Sequence, residues 1–139
     1  MLAVDPGRDK AGLAVVSHDG GCVHRRIVPA GDAAGAAADL ARRFGVRVIA
    51  VGDRTGASVA STIAQVCPDL TVVLVDEHRS TEEARALYLD TVPARGLARL
   101  LPRGLRVPPG PVDDFAAWAL GRRYLRGSRA DRESGPAPR

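Results

Sequence analysis

Acidic side chains stand at three places where a fold gathers ligands. Asp5 follows a short apolar run, Asp76-Glu77 follows another, and Asp113-Asp114 opens an amphipathic stretch. Carboxylate oxygens are the ligands that hard divalent cations such as Mg²⁺ and Mn²⁺ take. Two such ions about 3.5–4 Å apart activate a water and steady the leaving oxygen in phosphodiester cleavage. Each acid also has a plainer reading. Asp5 before Pro6-Gly7 can start a turn, and Asp113 and Asp114 can complement a helix dipole. Neighbours on a strand point to opposite faces, so one of Asp76 and Glu77 faces a site and the other does not.

The elements that must position these acids follow from apolar runs and turn residues. Residues 1–4 and 12–17 read as strands joined by the tight Asp-Pro-Gly-Arg-Asp-Lys connection. Residues 21–29 give a third strand whose poor alternation suits a sheet edge. The Ala-rich stretch 31–45 predicts a helix with Asp32 as N-cap and Gly45 as stop. Residues 46–51 form a fourth strand and 57–66 a second helix. The continuous apolar run 70–75 predicts a fifth strand buried on both faces. Ser80 and Glu83 form a capping box for a third helix through Leu89. Residues 91–112, rich in Pro, Gly and Arg, remain without assignment. Pro111 suits the first turn of a last helix ending near Leu125. In that helix Asp113, Ala117, Leu120 and Tyr124 share one face, which favours Asp113 as the acid that reaches the sheet end. Asp114 lies about 100° round, a candidate fourth ligand.

The order βββαβαβα predicts an α/β fold: a mixed five-stranded sheet, three antiparallel strands then two parallel, flanked by helices. It matches the ribonuclease H-like fold. Residues 1–126 make one domain, and the basic tail 127–139 has little to bury and is expected to be disordered. The chain has 139 residues, 45% apolar and 26% charged, as a globular domain has. It contains no membrane-length apolar run and no signal-peptide pattern, so a cytoplasmic location is expected. Cys22 and Cys67 lie outside any CxxC pattern and read as buried free thiols. The net charge is +4, and all of the 20 basic residues but Lys10 are arginine. Arginine's planar fork suits phosphate, and a basic domain fits nucleic acid. Four arginines, Arg95, Arg99, Arg103 and Arg106, stand between Asp90 and Asp113 with no acid or aromatic among them. They predict a flap that grips the phosphate backbone rather than stacks on bases.

Three stretches, VDPGRDKAGLAVV, VVLVDEHRSTEEAR and VDDFAAWALGRRYL, resemble in sequence and order the YqgF/RuvX family, bacterial RNase H-like nucleases of pre-16S rRNA processing once proposed as Holliday junction resolvases. The resemblance spans roughly residues 2–126. It implies that Asp5, Glu77 and Asp113 bind Mg²⁺ or Mn²⁺ and catalyse hydrolysis, with Asp114 as a further ligand. It matches Gly7 and Gly12 to the family's glycines around the first hairpin. Arg8, Lys10, Arg79 and the four insert arginines are expected to hold nucleic acid, RNA ahead of structured DNA, in a monomer or homodimer. The family usually reads Asp-Glu-Arg where this chain has Asp76-Glu77-His78-Arg79. Resolvases of the related RuvC type carry an acid at the position of Gly110 and a glutamate on the fourth strand, where this chain offers Asp53.

Other readings weigh less. ATPases that share this fold and its Asp-x-Gly turn need a duplicated domain, and the chain has no GxxxxGK[ST] pattern. A resolvase or other structured-DNA nuclease uses the same acids. A non-catalytic nucleic-acid-binding domain would keep the fold and charge, but all three acids are present.

Overall fold

The computed structural model describes residues 1–78 and 80–133. Strands β1 (Leu2–Pro6), β2 (Lys10–Val16) and β3 (Cys22–Pro29) precede helix α1 (Ala33–Phe44), strand β4 (Val48–Gly52), helix α2 (Ala57–Val66), strand β5 (Thr71–Val75) and helices α3 (Ser80–Thr91) and α4 (Asp113–Glu133). The sheet order is β3-β2-β1-β4-β5. The pairs β1–β2 and β2–β3 are antiparallel, and β1–β4 and β4–β5 are parallel. This is the mixed sheet expected, with β3 at an edge.

Large and small residues alternate along the central strands, and that alternation builds two unlike faces. Leu2, Val4, Leu13, Val15, Ile49 and Val51 point to one face and pack with Leu40 of α1 and Ile63 of α2. Burying each of the larger of these side chains is worth about 1.5–3 kcal/mol. Ala-rich α1 suits this face because small side chains favour helix and bring its axis close. Gly45, at φ 62°, ends α1 as expected, whereas Asp32 makes no side-chain cap bond. The short 3₁₀ turn Ala30–Asp32 leads into α1 in its place.

The opposite face offers Ala3, Gly12, Ala14, Ala50 and Gly52, and α4 lies across it. Ala117 packs with Ala14 and Val16. A Cβ on Gly121 would stand 2.7 Å from Val16 Cγ2 and 3.2 Å from the Ala3 Cβ. The fit is therefore between small residues on both sides. Replacing Gly121 by Val is expected to lift α4 off the sheet and cost about 1–3 kcal/mol, read as a lower midpoint in urea unfolding.

Beyond the Asp32 cap, three expectations change and the stretch without assignment gains structure. First, β5 is not buried on both faces: it is the far edge of the sheet, and Leu74 is 53% exposed. The reason is that α3 packs chiefly against α4, through Ala84, Leu87, Phe115, Ala116 and Ala119, instead of covering β5. Second, α4 continues through Glu133, so residues 127–133 are helical where a disordered tail was expected. Long-range bonds hold this extension: Arg126 pairs with Glu83 of α3 at 3.3 Å, and Arg129 donates to the His18 carbonyl at 2.8 Å. Residues 134–139 lie outside the described residues, as do Arg79 and the side chain of Ser80 on which the capping box depends. Third, Cys22 and Cys67 are free but half-buried. The unassigned stretch holds two 3₁₀ turns, Gly96–Leu100 and Arg103–Leu105.

Candidate active site

Asp5 lies two residues beyond Ala3 on β1 and so turns to the α4 face. Its partner across the antiparallel ladder is Gly12. A Cβ on Gly12 would collide with the main-chain carbonyl of Asp113. The missing side chain lets the first turn of α4 rest on β2 beside Asp5. On the other flank Val4 pairs with Val51 of β4, which brings Gly52 level with Asp5. A Cβ on Gly52 would take the place of Glu77 Oε1. Two absent side chains therefore admit Asp113 from one side of Asp5 and Glu77 from the other.

The electrostatics match this crowding. The Asp5 carboxyl is pushed up to about 7, first by burial, then by the charges of Glu77 and Asp113, against the pull of the Arg54 guanidinium. Glu77 is 7% exposed. Its pKa is raised by burial and then by Asp53, again against Arg54. Its Oε1 has no hydrogen-bond partner among the described residues, an arrangement that costs about 1–3 kcal/mol or more for a charged group. Asp76, by contrast, is exposed and accepts the His78 main-chain N–H at 2.8 Å. That turn sends Asp76 and His78 outward and Glu77 inward.

Asp114 is directed elsewhere. It accepts the Arg25 Nε–H at 2.9 Å and the Phe115 main-chain N–H at 3.0 Å. Arg25, on β3, also lies 4.2 Å over the Phe115 ring. Asp5 thus lies near enough to Glu77 and Asp113 to feel their charge, whereas Asp114 is tied to β3. Arg8 in the β1–β2 connection and Lys10 at the start of β2 are exposed. Gly7 closes that turn with its N–H on the Lys10 carbonyl at 2.8 Å, and a Cβ there would crowd the same oxygen at 2.7 Å. Of the insert arginines, Arg103 pairs with Asp90, and Arg106 donates to the Leu101 carbonyl at 3.0 Å. Arg95 and Arg99 are exposed with no ion-pair partner among the described residues. The insert leans on α3: Arg85 donates to the carbonyls of Gly104 and Arg106 at 2.9 and 2.8 Å.

Sequence reasoning missed Arg54. Its loop, residues 52–56, is stitched down on both sides of it. Asp53 Oδ1 accepts the Glu77 N–H at 3.3 Å, and the Asp53 N–H reaches the Val75 carbonyl at 3.0 Å. Thr55 donates its hydroxyl to the carbonyl of Pro6, next to Asp5. Arg54 is exposed between these anchors, and its charge acts on both Asp5 and Glu77. A loop leaving the carboxyl end of a parallel strand is where α/β sheets place ligands, and that signal was legible in Gly52-Asp53-Arg54-Thr55-Gly56.

Among the described residues no three His, Cys, Asp or Glu side chains stand close enough to grip an ion as they are. The donor chemistry nevertheless fits a hard cation: carboxylate oxygens, one of them buried and unpartnered, beside two glycines that leave room.

No family model and no curated protein matches the chain. Among solved structures, the RuvC structure of Thermus thermophilus is similar over 100% of both chains, with a TM-score of 0.56 and 17% identity. That likeness shows the fold, an RNase H-like α/β arrangement. No helix among the described residues is long and apolar enough to cross a membrane.

Proposed function

We propose that this chain is a metal-dependent nuclease that hydrolyses phosphodiester bonds, with RNA as its preferred substrate and pre-16S rRNA 5′-end processing as its role in the cytoplasm. The observation that carries the reading is Glu77 Oε1, buried and unpartnered at the sheet end that also holds Asp5 and Asp113. The carboxylate draws a main-chain hydrogen bond from Arg54, but its Oε1 has no partner among the described residues, and a cation would satisfy it. Asp5, Glu77 and Asp113 would hold Mg²⁺ or Mn²⁺. Such an ion supplies an activated water and neutralises charge on the leaving oxygen. Arg54 orients a non-bridging phosphate oxygen over the acids, and Asp53 and Thr55 fix its loop. Arg8, Lys10, Arg95 and Arg99 extend the positive path along the backbone. The test is cleavage of a panel of defined RNA and DNA substrates with and without Mg²⁺ or Mn²⁺. Absence of metal-stimulated cleavage on every substrate, with Mn²⁺ binding unaltered by acid substitutions in calorimetry, leaves a non-catalytic nucleic-acid-binding domain.

The likeness to RuvC favours structured DNA as the second reading. Against it stands Gly110, where resolvases of that type carry an acid.

Two outcomes follow for the basic residues. Arg54→Ala is expected to raise KM for nucleic acid about 10-fold or more, as loss of a charge-assisted phosphate contact does. The same change leaves Mn²⁺ affinity equal or tighter, because it removes a positive charge beside the acids. Weaker Mn²⁺ binding would instead make Arg54 a structural prop. Changing Arg95 and Arg99 together to Ala should flatten the slope of log K against log salt by about 1–2; an unchanged slope removes them from the backbone path.

A further inference from the structure

Eight large apolar side chains stand exposed in the described residues, and five of them fall between residues 97 and 107. Leu97 is 82% exposed, Leu100 81% and Val107 77%, and Leu101 and Leu105 belong to the same short stretch. The other three, Val23, Val66 and Leu74, are scattered over β3, α2 and β5. Scattered apolar residues are ordinary, whereas a cluster marks an interaction surface. Phosphate offers leucine nothing, so a purely backbone-gripping flap leaves this cluster unexplained.

The insert is also a held shape. Arg85 and the Arg103–Asp90 pair fasten it to α3 on its polar side. Between insert and helix opens a groove of about 290 Å³, walled by Tyr88, Val92, Pro93, Ala98 and Val107, with Arg95 and Arg106 also lining it. Its charge has one sign. No acid stands between Asp90 and Asp113, and Asp90 is taken by Arg103. We infer that the insert is a docking surface for a segment of another protein that presents apolar side chains flanked by carboxylates. The apolar residues fill the groove and cover Leu97, Leu100 and Leu101, and the carboxylates meet Arg95 and Arg99.

Other occupants fit less well. A second copy docking through the same surface would set arginine against arginine. A nucleic acid held by its backbone on Arg95 and Arg99, as proposed above, would leave the leucines in water, so a docked segment would share those two arginines with it. A bilayer is flat and would leave the groove between the insert and α3 unfilled.

The test selects a displayed library of random peptides on the full chain, with counter-selection on the triple variant Leu97→Ser, Leu100→Ser, Leu101→Ser. Enriched peptides are expected to combine Leu, Ile, Phe or Met with Asp or Glu. A synthesised representative should bind the triple variant and Arg95→Glu/Arg99→Glu at least about 10-fold more weakly than the wild type. The triple variant is expected to keep its melting temperature and its nucleic-acid cleavage, so the result stands apart from the nuclease reading. The inference is overturned if no peptide survives, if survivors lack acids, or if they bind the triple variant equally. It is overturned too if the leucine substitutions instead abolish binding to phosphatidylcholine–phosphatidylserine vesicles or to an oligonucleotide.

Discussion

Asp5→Asn is expected to make the protein at once more stable and inactive. The wild-type carboxyl is pushed up to about 7 by burial and by the charges of Glu77 and Asp113. In the unfolded chain an aspartate titrates near 3.9. Between these values the folded state holds a proton that the unfolded state has lost, so stability falls as pH rises from about 4 to about 7 and stays low above. A shift of roughly three units corresponds to at most about 4 kcal/mol, lessened by the partial exposure of Asp5. Asparagine is neutral and has nothing to lose over that range. In chelator at pH 8 the variant should therefore unfold about 1–3 kcal/mol later than wild type, and at pH 4 the two should nearly coincide. Cleavage should drop by about 10³-fold or more, because several kcal/mol of transition-state stabilisation goes with the ion's ligand. Saturating Mn²⁺ should raise the melting temperature of the wild type and leave the variant unmoved, since only a bound ion shifts the equilibrium. Thermal melts across pH with and without Mn²⁺, beside a cleavage assay, read all of this. A variant less stable than wild type at pH 8 would mean that Asp5 is an ordinary turn residue.

That expectation depends on features which differ in how far the sequence shows them. The element order follows from runs and turn residues because each strand and helix is decided within a few neighbours. The placing of Asp113 on the packed face follows from helical spacing alone. The two-faced sheet was written just as locally, in Leu2-Ala3-Val4-Asp5 and Ile49-Ala50-Val51-Gly52, where large and small residues alternate. Arg54 is different. Gly52-Asp53-Arg54-Thr55-Gly56 marks a loop at a strand end, but the placing of Arg54 depends on Thr55 reaching Pro6 and Asp53 reaching Glu77, partners 49 and 24 residues away, and no local pattern encodes such closures. The exposure of Leu74 and the length of α4 depend likewise on where α3 goes. That choice is made by the packing of Ala84 and Leu87 on Phe115 and Ala119, not by the apolar run of β5.

Gly12 and Gly52 separate what the fold needs from what the site needs. Both are cradles, but the atoms they spare are unlike. At Gly12 a new methyl meets main chain, the Asp113 carbonyl and the Asp114 nitrogen. Main chain can give way only if the start of α4 lifts, while Ala117 and Gly121 hold the rest of the helix on the sheet. Gly12→Ala is therefore expected to lose about 1–3 kcal/mol in urea unfolding and, with Asp113 displaced, about 10²-fold in cleavage. At Gly52 the new methyl meets side-chain atoms alone, Oε1, Cδ and Cγ of Glu77. Glu77 can swing out, and in doing so its unpartnered oxygen gains water. Gly52→Ala should thus keep or slightly raise the melting temperature in chelator. It should also weaken Mn²⁺ binding and lower cleavage by about 10²-fold, through loss of a ligand alone. The two variants together distinguish stability from chemistry on the two strands that flank β1. If Gly52→Ala unfolds as early as Gly12→Ala, Glu77 is a structural residue of this sheet end. If it retains full Mn²⁺ affinity, the ion is held without Glu77, and the site must be rebuilt around Asp5 and Asp113.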